Sequence, residues 1–218
     1  MFLKAGQPLA LSLTLAPDVV AVGTRRLDRS GSDAIAPVDV IEMRQPALTG
    51  AYTDNTQLLN YVVPSFNTNR ETSADGADHV DAFNLRGLGV DQVLVLVNGH
   101  RRHSSALVNL LGSRSLGSSP TDLNTISANA LDRVEILRDA QYGSDAIAGV
   151  MNLTLKSADY GGNVLVNNGI HAGGYGYTTG LSINKGLKLG QKGFLNLTGD
   201  VDYRNFTTTD GYNRDLSS

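Results

Sequence analysis

The spacing of apolar and polar positions changes along this chain, and each change predicts a different element. Over residues 57–62 the side chains of Leu58, Leu59 and Val62 recur at helical spacing, with Thr53 or Asp54 placed as a cap and Pro64 as a stop. Residues 37–43 read as a short strand, and residues 93–97 form an unbroken apolar run, as expected of a strand covered on both faces. Asn98-Gly99 follows, a pair suited to a type I′ turn because both central residues need positive φ. His100, Arg101, Arg102 and His103 then make the returning strand. Ser127 is placed to cap a short helical turn running to Leu131. Residues 133–137 alternate Val134 and Ile136 against Arg133, Glu135 and Leu137, with Arg138 at the end. A tight turn, a one-turn helix over 144–148 and a second strand over 150–156 complete this stretch. Charges on the 133–137 strand fit either a solvated sheet face or a face against a polar wall.

After Lys156 the spacing becomes two. Tyr175, Tyr177, Thr179, Leu181 and Ile183 alternate with Gly176, Thr178, Gly180, Ser182 and Asn184 over 175–185. Leu195, Leu197, Val201 and Tyr203 alternate with Asn196, Thr198, Asp200, Asp202 and Arg204 over 195–205, and 163–172 carries a weaker copy. An amphipathic meander on a soluble core and a set of membrane-barrel strands both produce this writing. Each run reaches the roughly 9–11 residues that a tilted membrane strand needs. On a path that rises, turns at 171–174, falls, turns at 190–193 and rises again, Tyr175, Tyr177, Tyr203 and Phe206 stand at one interface. Tyr160 and Phe194 stand at the other, as aromatic girdles require.

Composition narrows the field. The 218 residues suffice for one domain or two, and a net charge of −3 leaves no basic footprint for nucleic acid. Cysteine is absent, which removes disulfides and thiolate metal sites. No stretch approaches the roughly 20 apolar residues of a transmembrane helix. Residues 9–16 resemble a signal-peptide remnant, but Ser12 and Thr14 interrupt the apolar core and Pro17 follows its small-residue site. Asp75, Asp78, His79 and Asp81 lie in a polar loop over 67–81 without the alternating spacing of a calcium loop, so a solvated loop is expected. His100 and His103 fall on opposite faces of a strand, which excludes a shared metal. A Gly-x-Ser-x-Gly elbow, a Walker loop, a zinc-helix motif and a cysteine nucleophile are all missing, so no enzyme and no cofactor are expected.

The string from Leu131 to Lys156, LDRVEILRDAQYGSDAIAGVMNLTLK, resembles the end of the plug domain of TonB-dependent outer-membrane receptors. Leu85-Arg86-Gly87-Leu88-Gly89 is similar to that family's L-R-G segment, and QVLVLVNGHRRH over 92–103 to its plug hairpin. The stretch after Lys156 resembles the opening of the receptor barrel. Between Arg138 and Tyr142 the chain is shorter than the family pattern and lacks its glycine, which predicts a tighter turn.

The resemblance implies an α+β plug domain, a mixed sheet with short helices, followed by antiparallel β-strands of an incomplete transmembrane β-barrel. Residues 1–30 would be a flexible arm, 31–157 the plug and 158–218 the first three barrel strands. Asp18, Val19, Val20, Ala21 and Val22 occupy the place of the TonB box, an extended segment that adds a strand to the sheet of a TonB-type energy-transducing partner. Arg86, Arg133, Glu135 and Arg138 would lock the plug to the barrel through charge-assisted hydrogen bonds. Asn69, Arg70, His79, Arg102 and His103 would sit on plug loops facing a small substrate such as an iron chelate, cobalamin or an oligosaccharide. The implied location is the cell outer membrane, with the plug facing the periplasm. A soluble periplasmic binding or signalling module is the alternative. Three strands leave open edges that cost several kcal/mol per unpaired group in hydrocarbon, and a plugged transporter takes about 22. The expectation is therefore an N-terminal piece, or a truncated product needing more chain or a partner.

Overall fold

The structure, a computed structural model, describes residues 38–43, 54–68, 79–109, 115–138, 144–170, 176–191 and 193–205. In chain order its elements are β1 (Val38–Glu42), α1 (Asn55–Val62), β2 (Phe66–Thr68), β3 (Phe83–Leu85), β4 (Val93–Val97) and β5 (His100–Arg101). A 3-10 turn (Ala128–Ala130) follows, then β6 (Leu131–Leu137), β7 (Gly149–Leu155), β8 (Gly162–Gly169), β9 (Thr178–Leu189) and β10 (Gly193–Arg204).

Five strands form one mixed sheet in the order β1-β6-β7-β4-β5. β1, β6 and β7 run antiparallel to their neighbours, whereas β7 lies parallel to β4 with Val93 opposite Gly149 and Val97 opposite Leu153. One face of this sheet carries Val93, Val95, Val134, Ile136, Met151 and Leu153, and packs against Leu58 and Leu59 of α1 and the Phe66–Phe83 pair. Those two rings stack with centroids 5.0 Å apart and fasten the small β2–β3 sheet to the core. The other face holds a smaller cluster of Leu137, Ala146 and Val150, with Leu94 and Leu96 packed on it. The apolar run of β4 is thus covered from both sides.

Local chemistry sets several boundaries as expected. Asp54 caps α1 by accepting a hydrogen bond from the Gln57 N–H, at 2.7 Å, and Ser127 caps the 3-10 turn through the Asn129 N–H, at 3.1 Å. Asn98 and Gly99 take φ of 49° and 79°, the left-handed pair of a type I′ hairpin. Elsewhere the structure corrects the reading. Residues 144–148 form a turn and bends rather than a helix, because the Ala148 N–H is taken by Gln92 O beside β4 and the Gly149 N–H by Ala146 O. Asn67 and Thr68 belong to β2, since the stacked phenylalanines draw residues 66–68 against 83–85. The strand after the hairpin turn ends at Arg101, although the Arg102 N–H still reaches Val95 O at 2.8 Å.

The last three strands make a separate antiparallel sheet in the order β10-β9-β8. β9 starts three residues later than the alternation suggested and continues to Leu189, because its register with β10 runs from Thr178↔Arg204 to Leu189↔Gly193. On one face Val166, Leu181 and Val201 stand side by side and are 64%, 41% and 73% exposed. On the other, Leu165, Ser182 and Asp200 are neighbours, and Gly180, Asn184 and Gly186 are buried. The polar face is the one turned to the five-stranded body. The three strands do not close on themselves.

Candidate functional site between the five-stranded body and the three-stranded sheet

β6 and β7 present a charged group where the core would otherwise be apolar. Glu135 is wholly buried. Its Oε1 accepts from Arg133 Nε at 2.8 Å, and its Oε2 accepts from Asn152 Nδ2 at 3.2 Å. Asn152 Oδ1 in turn accepts the Gly99 N–H at 2.9 Å. A buried carboxylate survives only when its lone pairs are filled, and here the filling ties β6 and β7 to the β4–β5 turn.

The other two residues expected in the lock lie elsewhere. Arg138 pairs with Asp39 of β1, its Nε donating to Oδ2 at 2.7 Å and Nη2 to Oδ1. That hydrogen bond and the attraction of the carboxylate raise the guanidinium pKa further above its ordinary value. Arg86 holds φ of 56° and donates from Nη2 to Ala148 O at 3.0 Å, clasping the turn that precedes β7. Arg133 and Glu135 are therefore together, while Arg138 and Arg86 are at separate points of the same body. Arg102 is half-buried and donates to Thr125 Oγ1 at 3.1 Å, whereas His79 and His103 are exposed. Asn69, Arg70 and the segment Asp18, Val19, Val20, Ala21 and Val22 lie outside the described residues.

Contact between body and three-stranded sheet is carried by residues that sequence reasoning did not single out. Asn129, 4% exposed, donates from Nδ2 to Ser182 Oγ at 2.9 Å. Its Oδ1 accepts from Lys156 Nζ at 2.9 Å and from Asn163 Nδ2 at 2.8 Å. Nearby, Asn184 Nδ2 donates to Asn196 Oδ1 and Thr198 Oγ1 across β9 and β10, and Asn196 Nδ2 reaches Ala158 O at 3.3 Å. The link after β7 presses on β9 so closely that a Cβ on Gly186 would lie 2.5 Å from Ala158 O. Beside the 3-10 turn a cavity of about 330 Å³ opens between α1 and the polar face of the sheet. Asp54, Asn167, Thr178, Asp200, Asp202 and Arg204 are among its lining. The signal for this interface was present in the sequence. Asn163, Ser182, Asn184, Asn196 and Thr198 all occupy the polar parity of the alternating strands.

Comparison with known proteins fits this arrangement. The family described as TonB-dependent Receptor Plug Domain matches residues 30–150. The vitamin B12 transporter BtuB of Vibrio cholerae is 30% identical over 183 residues, covering 83% of this chain and 27% of the transporter. The ferric enterobactin receptor of Pseudomonas aeruginosa is 27% identical over 143 residues, covering 64% of the chain and 18% of the receptor. A crystal structure of that receptor (PfeA) in complex with enterobactin shares the fold at a TM-score of 0.59 and 23% identity, over 76% of this chain and 24% of that one. The chain spans about a quarter of the length of the curated relatives it matches. A mixed sheet backed by short helices, the succession of strand motifs and the match across residues 30–150 together place the chain in the TonB-dependent receptor plug domain family.

Proposed function

We propose that this chain forms the plug and first barrel strands of a TonB-dependent outer-membrane receptor for active uptake of cobalamin or a ferric siderophore, with the plug gating the barrel lumen. Residues 1–30 serve as the arm, 31–157 as the plug and 158–218 as the first three strands of the wall. The observation that carries this reading is the sidedness of β8–β10. Val166, Leu181 and Val201 turn away from the body while Ser182, Asn184 and Thr198 turn toward it, the inverse of a soluble sheet packed on a core. Asp18, Val19, Val20, Ala21 and Val22 are the segment offered to a TonB-type partner. Arg102, His103, His79, Asn69 and Arg70 are the substrate-facing set. Arg86, Arg133, Glu135 and Arg138 are the set assigned to the lock with barrel carboxylates and arginines. Those bonds would have to form in addition to, or in exchange for, the partners these residues have within the body. None of these roles involves catalysis.

Uptake by the receptor containing this chain tests the proposal, in a host lacking its own cobalamin and siderophore receptors. Accumulation of labelled cyanocobalamin or ferric enterobactin that stops when the TonB-type partner is deleted is the expected result. Recovery of the protein by osmotic shock, without detergent, would overturn it.

A further inference from the structure

Ion pairs are the family-derived expectation for how the plug is held, but the hydrogen bonds described between this body and the three-stranded sheet centre on side-chain amides. The 3-10 turn packs on both β9 and β10. Asn129 sits inside that turn, its own N–H donating to Ser127 Oγ at 3.1 Å, and its side chain is held by the bonds it makes to its neighbours. Three segments converge on it: Lys156 at the end of β7, Asn163 in β8 and Ser182 in β9. The backbone repeats the tie, as the Lys156 N–H donates to Ala130 O at 2.9 Å. All acceptors here are neutral, and Asn129 is buried. Two of the three side-chain contacts are neutral on both sides, and the third is the Lys156 ammonium donating to an amide oxygen rather than to a carboxylate. Salt screens exposed charge pairs but acts weakly on a short, buried hydrogen bond to an amide.

We propose that Asn129 is the positioning residue that seats the plug on the barrel wall, through an amide hub whose strength changes little with ionic strength. This rests on the reading of the chain as a gated receptor. The hub works alongside any ion-pair lock and is distinguished from it by its indifference to salt. It also fixes where the wall begins relative to the plug, because β8 and β9 are registered on the same side chain.

Passive conductance of the receptor in planar bilayers, without partner or substrate, tests the hub. Asn129→Leu keeps the branched shape and removes all three side-chain bonds. It is expected to raise basal conductance about fivefold or more, by the same factor at about 0.1 M and about 1 M salt. Asn129→Asp still accepts from Lys156 and Asn163 and can take a hydrogen bond from the Ser182 hydroxyl, so it restores the closed state. Unchanged conductance in Asn129→Leu, or a rise confined to one salt concentration, overturns the proposal. If Asn129→Leu does not insert, Ser182→Ala is read instead: a salt-independent rise supports the hub and no rise overturns it. Failure of the transport reading would show separately, as missing energised uptake in the unmutated receptor.

Discussion

Glu135 and Arg133 stand two residues apart on β6 and meet at 2.8 Å on one face of the sheet, the carboxylate fully buried and the guanidinium group about a quarter exposed. Cutting one partner of such a pair strands a charge in a poorly solvated place. Glu135→Ala should therefore destabilise the plug on the order of 3 kcal/mol. Replacing both, as Glu135→Leu with Arg133→Met, should recover part of that loss, the remainder being the buried Asn152 amide left without its acceptor. Denaturant midpoints of the plug, followed by protease susceptibility, read the difference. Equal losses in the single and double variants would contradict the account.

Arg138 and Asp39 offer the contrast. Their side chains are 48% and 34% exposed, at the edge where β1 joins β6. An exposed pair of this kind contributes about 0–1 kcal/mol, so Arg138→Ala should cost little and the cost should shrink with added salt. The Arg138 pKa is raised by its partner, so the guanidinium stays charged through neutral pH and its contribution is lost as pH rises through the guanidinium range. Melting of Arg138→Ala and the parent across a salt series checks this. A loss as large as that of Glu135→Ala would sink it.

Gly149 opens β7 at φ of 129°, and a Cβ there would lie 2.5 Å from Leu137 O. Both the backbone angle and the neighbouring carbonyl of β6 exclude a side chain. Gly149→Ala should cost about 2 kcal/mol or more. Far-ultraviolet melting is the measurement, and a change of under about 0.5 kcal/mol would refute the geometry.

Gly186 and Gly199 form a matched pair on β9 and β10. A Cβ at Gly186 meets Ala158 O at 2.5 Å and Tyr160 O at 2.9 Å, while one at Gly199 meets nothing within 4 Å. In the proposed receptor, Gly186→Ala should reduce the yield of folded, heat-resistant protein, and Gly199→Ala should leave it unchanged. Electrophoretic mobility before and after heating reads both. Similar yields for the two variants would show that the linker does not run where it is described.

Much of this architecture is legible from local rules. Asp54 before Leu58 and Leu59, Asn98-Gly99 after an apolar run, and the period of two after Lys156 each state their element without reference to distant residues. β2 was not legible, because its reason to exist is Phe83 on the far side of a polar loop. The failed helix at 144–148 has the same cause: Gln92 O, distant in sequence, takes the amide a helical turn would have used. Partners of charged groups were the least legible of all. Arg138 chooses Asp39 and Arg86 chooses Ala148 O through strand order and register, which no pattern within either segment encodes. Asn129 went unnoticed for the opposite reason. A neutral amide in a short turn carries no signature until the side chains around it are known.

The order β1-β6-β7-β4-β5 places the last-made of the five strands at the centre. Until residue 155 has been synthesised, β6 and β4 have no common neighbour and the two halves of the sheet have nothing to join them. Pairing Val93 with Gly149 also closes a long loop, a slow event for any chain. In the proposed receptor this delay would keep the polypeptide threadable during export, and its middle strand would arrive together with the strands that follow it.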